Sequence, residues 1–112
     1  MFAYIWEYLV KEGSEAEFER LYGPDGDWVQ LFQKVDGYIA TDLYRDITNP
    51  DRYVTTDFWR SKEARDRSRQ DFAAEFAALD KRGDLLTEQE NFLGDFDCFS
   101  NYGSRTINAF KS

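Results

Sequence analysis

The sequence predicts an α+β domain of the ferredoxin-like type, with the element order β-α-β-β-α-β and a four-stranded antiparallel sheet. Three observations support this fold. Four short runs are rich in β-branched and aromatic residues. Segments whose apolar residues have helical spacing lie between the first and second runs and between the third and fourth. Only a short turn separates the second run from the third, which is typical of a hairpin. The length of 112 residues allows one such domain.

Residues 2–10 predict the first strand, which is apolar on both faces except for Glu7. The segment that starts at Ser14 has the form of a capping box, with Glu17 three residues later, and it predicts the start of a helix. A second short helix is predicted over 28–35, where four apolar residues share one helical face.

Residues 38–46 predict the second strand and residues 52–59 the third. The intervening 48–51 segment contains Asn and Pro and forms a turn. The two strands are therefore expected to pair as a hairpin.

The longest helix is predicted over 62–82, with Ser61 as its N-cap and Gly83 as its end. Residues 87–90 again have the form of a capping box and predict one short helical turn. The fourth strand is expected over 92–99.

A homodimer is expected from the distribution of apolar residues. Helices cover one face of a ferredoxin-like sheet and leave the other open, yet the first, second and fourth strands carry apolar residues on both faces. Aromatic residues make up 18% of the chain, a surplus that predicts a second buried surface. A partner's sheet would cover the open face and close a dimeric α+β barrel. The domain is expected over 1–99, with the tail 100–112 packing on it or on the partner subunit.

Composition excludes several classes of partner. A net charge of −8 argues against binding to nucleic acid and to anionic membranes, both of which require basic surfaces. The one cysteine, Cys98, cannot form an intrachain disulfide. The first residues lack the basic start of a signal peptide. A cytoplasmic location is expected.

Three segments resemble the antibiotic biosynthesis monooxygenase family. The first strand contains Ile-Trp-Glu-Tyr-Leu-Val at 5–10. The third strand ends in Asp-Phe-Trp-Arg-Ser-Lys-Glu-Ala at 57–64, which is similar to the family's W-x-S-x-E-A junction between strand and helix. Leu-Thr-Glu at 86–88 and Leu-Gly-Asp-Phe at 93–96 complete the resemblance.

The resemblance implies a dimeric α+β barrel with a cavity between sheet and helices. It implies oxidation of an electron-rich aromatic compound, such as an anthrone or quinol, by dioxygen without a metal or organic cofactor. A sister group degrades haem with a junction Trp, a strand Asn and a helix His. This chain has no histidine, and Thr55 stands where the Asn is expected, which argues against haem degradation. Thr55 also departs from the anthrone-oxidising members.

Trp59 and Asp57 are the candidate catalytic residues. Trp59 matches the junction Trp that lines the family's pocket, and it could equally be a core residue that locks the long helix to the sheet. Asp57 is one of three carboxylates in apolar strands, with Glu7 and Asp42. A buried carboxylate can act as a general base, although pairing with an arginine is the alternative for all three.

Six further side chains are candidates for substrate binding. The aromatic ones are expected to form cavity walls, and the two arginines could hold an acidic substrate at the cavity mouth. Ordinary core packing and a solvated helix face are the respective alternatives. The six are Trp6, Phe72, Phe76, Phe92, Arg65 and Arg69.

Two functions remain open from the sequence. The first is a cofactor-independent monooxygenase that acts on a small aromatic or quinol-like compound. The second is a non-catalytic dimer of the same fold that binds a small molecule or has a structural role. A pocket filled by Phe72 and Phe76 would favour the second.

Overall fold

A computed structural model describes residues 1–99 and confirms the ferredoxin-like α+β fold. The predicted tail, 100–112, lies outside the described residues. Among residues 1–99, no helix is both long and apolar enough to cross a membrane. The elements in chain order are β1 (Phe2–Val10), α1 (Glu15–Tyr22), α2 (Asp27–Phe32), β2 (Tyr38–Arg45), β3 (Arg52–Trp59), α3 (Lys62–Asp71), α4 (Ala73–Asp84) and β4 (Thr87–Asp97).

The four strands form one antiparallel sheet in the order β2-β3-β1-β4, so β1 and β3 lie at its centre. Across this central pair Tyr4 is opposite Asp57 and Trp6 is opposite Thr55. Alternate residues of a strand share a face. These four side chains therefore lie on the same face of the sheet, the one that the helices cover.

Aromatic packing holds α1 against the central strands. Phe18 of α1 is fully buried, and its ring stacks on Tyr22 with centroids 4.4 Å apart. It also contacts Tyr8 of β1 at 5.2 Å and Tyr53 of β3 at 4.9 Å. Burial of a large apolar side chain contributes roughly 1.5–3 kcal/mol, so this group fixes one side of the helical layer on the sheet.

The single long helix predicted over 62–82 is wrong, because the chain forms two helices with a break at Phe72. Phe72 has φ −124° and ψ 35°, outside the helical region. The backbone hydrogen bonds on either side of it persist, and the apolar spacing continues across the break. Periodicity alone therefore could not reveal it. The predicted cap is confirmed: the Ser61 hydroxyl accepts a hydrogen bond from the Ala64 amide at 3.2 Å.

Two predicted capping boxes do not form. Ser14 makes no side-chain cap, and the Gly13 amide donates instead to the carboxylate of Glu15 at 3.1 Å. Residues 87–90 belong to β4 because they pair with β1, and strand pairing replaces the predicted helical turn. β4 accordingly begins earlier than the predicted strand. Gly83 lies inside α4 rather than after it, since the helix continues for one more residue.

Gly83 is required where α4 crosses α1. A Cβ at this position would overlap the Tyr22 hydroxyl, and the Tyr22 ring is held by its stack on Phe18. We expect Gly83→Ala to lower the free energy of unfolding by about 1–3 kcal/mol, as overpacking does, although alanine has the higher helix propensity. Urea denaturation measures the change.

Ala78→Gly is the control for helix propensity, because Ala78 is exposed on the same helix. The double variant Gly83→Ala/Tyr22→Phe removes the overlapping oxygen and should recover part of the loss. A Gly83→Ala variant as stable as the wild type would contradict the close packing.

Candidate functional site

A cavity of about 590 Å³ lies between the helix-facing side of the sheet and the helices. This volume is in the range of small-molecule sites. The central strands supply its floor with Tyr4, Trp6, Thr55 and Asp57. α4 forms one wall, in which Ala73 and Ala77 lie one helical turn apart and present only methyl groups. Phe76 of the same helix also lines the cavity without filling it.

A chain of six aromatic rings, called here the aromatic belt, surrounds much of the cavity. It links β1, α1, α2, α4 and β3 through consecutive ring contacts of 4.9 to 6.2 Å between centroids. Contacts at these distances and with tilted or edge-on planes are favourable for aromatic pairs. The members are Tyr8, Tyr22, Trp28, Phe76, Phe32 and Trp59.

Asp57 is the buried carboxyl group of the cavity floor. Its Oδ1 accepts a hydrogen bond from the Thr41 hydroxyl at 2.6 Å, and the Thr41 oxygen lies 2.8 Å from the Tyr38 hydroxyl. Burial raises the pKa of Asp57 from 3.8 to about 7, and the bond from Thr41 lowers it by a smaller amount. The group therefore changes protonation state near neutral pH, as a general base requires.

Trp59 combines a cavity-lining face with dense packing. It is 1% exposed and contacts Phe32 and Tyr38 edge-on, with centroids 5.3 and 5.2 Å away. Its indole Nε1 is buried and has no hydrogen-bond partner among residues 1–99. The structure thus shows the packing role that the sequence offered as an alternative and also places the ring in the cavity wall.

Both arginines that were candidates for holding an acidic substrate line the cavity but are already paired. Arg65 lies 4.3 Å from the ring centre of Tyr4 and forms ion pairs with Asp66 at 2.8 Å and Asp95 at 3.2 Å. Arg69 donates a hydrogen bond to the Tyr4 hydroxyl. Their guanidinium groups are thereby held against the protein.

Three carboxyl groups line the same cavity from α4 and β4, namely Asp80, Asp84 and Glu90. Burial raises the pKa values of Asp80 and Glu90, and the nearby charge of Asp84 raises both further. These three acidic groups outnumber the two arginines in the lining, so the charged part of the cavity lining is acidic on balance. It does not favour the acidic substrate that the arginines alone would predict.

The structure brings six of the eight candidate residues together in the cavity lining. The other two lie beside it: Phe72 at the break between α3 and α4, and Phe92 on β4. Phe92 is 50% exposed and contacts Tyr4 and Trp6 at 5.4 Å. The six that line the cavity are Trp6, Asp57, Trp59, Arg65, Arg69 and Phe76.

The other two strand carboxylates are occupied elsewhere. Glu7 forms an ion pair with Arg52 at 2.6 Å, and hydrogen bonds from Arg52 and Asn91 lower its pKa. Asp42 accepts a hydrogen bond from the Tyr44 hydroxyl at 2.9 Å. Only Asp57 of the three lines the cavity, and it makes no arginine pair among the described residues.

Sequence reasoning missed Thr41 and Tyr38 as site residues. The signal was present in the predicted hairpin, since counting back from its turn pairs residue 41 with residue 57. From the sequence, Tyr22, Trp28 and Phe32 were predicted only as members of the apolar helix faces. No feature of the sequence distinguishes a buried ring that fills the core from one that lines a cavity.

The model of the antibiotic biosynthesis monooxygenase family matches residues 1–78. The chain is also similar to the crystal structure of a mutant of SnoaB, a cofactor-independent oxygenase from Streptomyces nogalater. That comparison has a TM-score of 0.69 and 21% identity over 88% of this chain and 93% of SnoaB. A candidate antibiotic biosynthesis monooxygenase from Bordetella bronchiseptica gives a TM-score of 0.70 and 22% identity over 88% and 97% of the two chains. A comparison with curated proteins finds no match.

We expect the buried carboxyl group of Asp57 to make stability depend on pH. With its pKa raised from 3.8 to about 7, the folded protein holds a proton that the unfolded chain has released. The free energy of unfolding should therefore fall as pH rises from about 4 to about 7, by on the order of 4 kcal/mol for this group. The Asp57→Asn variant should lack this contribution.

Urea denaturation of both proteins at half-unit pH steps measures the difference between them, and contributions from other carboxyl groups cancel in it. Parallel curves for wild type and Asp57→Asn across this window would contradict the burial of a carboxyl group with a raised pKa.

Proposed function

Since the chain belongs to the antibiotic biosynthesis monooxygenase family, we propose that it is a cofactor-independent monooxygenase. Its substrate would be a small aromatic compound of the quinol or anthrone type, oxidised by dioxygen. The observation that carries the proposal is the carboxyl group of Asp57, buried in an aromatic cavity of about 590 Å³ with a pKa near neutrality. The description of SnoaB as a cofactor-independent oxygenase supports it.

The cavity fits a flat aromatic ligand. Trp6 and Tyr4 lie on its floor, and the aromatic belt encloses its sides, so a planar ring can contact ring edges and faces in several directions. Such walls give the reacting carbon largely apolar surroundings. A phenol or an activated C–H group can approach Asp57 on the floor while the ring system stays in apolar surroundings.

Asp57 would remove the acidic proton of the ligand and leave an electron-rich carbanion or phenolate. This anion can transfer one electron to dioxygen, and the resulting substrate radical and superoxide combine into a peroxide anion. The anion takes up a proton, for which protonated Asp57 is the donor. Loss of water from a CH–OOH group then leaves a carbonyl. One oxygen atom of dioxygen enters the product, and the other leaves as water.

Trp59 would act as the fixed end wall of this site. Its edge contacts with Phe32 and Tyr38 prevent rotation, so the position of the ligand ring relative to Asp57 is set by a rigid group. Substitution by Phe keeps an apolar ring and shortens the wall. The expected effect is a poorly positioned substrate rather than a protein that does not fold.

We also propose that the protein is a homodimer formed through the open face of the sheet. Strand alternation places Ile5 of β1, Val54 and Phe58 of β3, and Phe96 of β4 on this face, opposite the cavity side. Phe96 remains 47% exposed. A stable interface buries ~1,200–2,000 Å², which a second sheet packed around these four apolar side chains could supply.

A non-catalytic ligand-binding protein is the alternative. It is favoured by one observation: Thr55, which lines the cavity, stands where the resemblance places an Asn. The Thr55 side chain lacks the amide group of the Asn that the resemblance associates with oxidation. Such a protein would bind the same planar compounds without consuming oxygen.

Oxygen uptake with a panel of anthrones and naphthols tests the proposed activity. We expect turnover by the wild type and a decrease of about 10²–10⁴-fold in Asp57→Asn, the range that loss of a general base produces. Trp59→Phe should retain partial activity. Asp42→Asn removes the same charge from a neighbouring strand outside the cavity and should match the wild type.

Ligand binding must be measured alongside turnover by the quenching of tryptophan fluorescence. Binding of panel compounds without oxygen uptake above the Asp57→Asn rate would reject the monooxygenase and support the non-catalytic alternative.

The dimer has a separate test in sedimentation or light scattering at micromolar concentration. The wild type should have about twice the chain mass of 13.2 kDa. Phe96→Asp should shift the equilibrium towards the monomer because it places a charge in the apolar interface. Leu85→Asp, at a residue that is 72% exposed outside the sheet, should remain dimeric. A monomeric wild type would refute the proposal.

A further inference from the structure

We propose that Thr41 is a positioning residue for Asp57: a chain of two hydroxyl groups, Tyr38 and Thr41 on β2, holds one carboxyl oxygen and leaves the other to take the proton of the ligand. The inference rests on the proposed function, because it assigns the supporting residues of the proposed base. It is carried by the two hydrogen bonds that join Tyr38, Thr41 and Asp57.

The hydrogen-bond chain has a direction that follows from the chemistry of its members. An ionised carboxylate can only accept, so the Thr41 hydroxyl must donate its one proton to Oδ1 of Asp57, 2.6 Å away. Thr41 then has no proton left to give. The Tyr38 hydroxyl must therefore donate to the Thr41 oxygen at 2.8 Å. Tyr38 thus fixes the rotation of the Thr41 hydroxyl, which in turn fixes Asp57.

Among residues 1–99, no hydrogen bond reaches the second carboxyl oxygen of Asp57, although the residue is only 8% exposed. Other titratable groups line the cavity from β1, β4, α1, α3 and α4, and none of them is a hydrogen-bond partner of Asp57. They are Tyr4 and Tyr8 of β1, Tyr22 of α1, Arg65 and Arg69 of α3, Asp80 and Asp84 of α4, and Glu90 of β4.

Two properties of the base depend on Thr41. Rotation of an aspartate carboxyl about χ2 is broad and weakly restricted, so a single anchored oxygen defines where the other one lies. Donation to the ionised form also stabilises it and opposes the effect of burial. Without this donor the carboxyl group would be protonated in a larger fraction of the molecules at neutral pH, and fewer molecules could accept a proton from the ligand.

The test is the titration of Asp57 in the ligand-free protein, followed by NMR of ¹³C-labelled aspartate carboxyl groups, with Asp57→Asn to identify the signal. We expect Thr41→Val to raise the pH midpoint by about one unit or more, since a hydrogen bond to a charged group is worth that much. Thr41→Ser should restore the wild-type midpoint. Tyr38→Phe keeps the ring and should raise the midpoint by a smaller amount.

Thr56→Val is the matched control, because Thr56 precedes Asp57 in β3 and its side chain lies on the opposite face of the sheet. Its midpoint should equal that of the wild type. An unchanged midpoint in folded Thr41→Val would overturn the proposal, as would an equal shift in Thr56→Val. If Thr41→Val does not fold, the outcome is decided by Tyr38→Phe, whose unchanged midpoint would equally overturn it.

This experiment needs no turnover, so its result is separable from that of the oxygenase assay. A shifted midpoint in a protein that consumes no oxygen would support the positioning role and reject the proposed function. In an active protein, the acidic limb of the pH–rate profile should move with the NMR midpoint in each variant.

Discussion

The contacts among the six rings of the aromatic belt are the interaction on which the rest of the structure depends. They connect α1, α2 and α4 with the two central strands. The chain of contacts runs from Tyr8 on β1 through Trp28 on α2 to Trp59 on β3. Rings are rigid and long, so their tilted and edge-on contacts keep the two layers apart. A belt of aliphatic side chains of the same area could collapse into that space. The cavity is therefore a product of the packing rather than a defect in it.

The same packing sets the electrostatics of the site. Glu7 and Asp57 are both carboxylates of central strands, but they lie on opposite faces of the sheet. Glu7 faces outward, pairs with Arg52 and has a lowered pKa. Asp57 faces the cavity, has a single hydroxyl donor and has a raised pKa. A shift of β3 by one residue in register would turn Asp57 to the outer face as well, so the pairing of β1 with β3 determines whether this carboxylate faces the cavity.

The fold was predictable because its signals are local. Runs of β-branched and aromatic residues, helical spacing and one short turn specified the elements and their order, and the resemblance at the Trp59 junction pointed to residues that line the cavity. The errors arose where a local signal competed with pairing or packing. Residues 87–90 had the form of a cap, yet pairing with β1 drew them into β4. The helical period ran through Phe72, although the backbone bends there.

The candidate site was predictable only in part, for a physical reason. The sequence predicts Asp57 as a candidate base. Whether Asp57 pairs with an arginine depends on the other partners that hold Arg65 and Arg69. Two of those contacts, Arg65 with Asp95 and Arg69 with Tyr4, join residues far apart in the chain. Whether Phe76 fills a pocket or borders one depends likewise on the break at Phe72 and on Trp28, which no periodicity encodes.

Ala73 and Ala77 give the cavity an adjustable dimension. They occupy consecutive turns of α4 on the cavity wall. Both residues are exposed, so neither is part of the buried core. A larger side chain at either position would shorten the space available to a ligand while the sheet, the aromatic belt and Asp57 keep their places. Selectivity for ligand size can thus change in small steps, and independently of the chemistry, as related proteins diverge or as the site is redesigned.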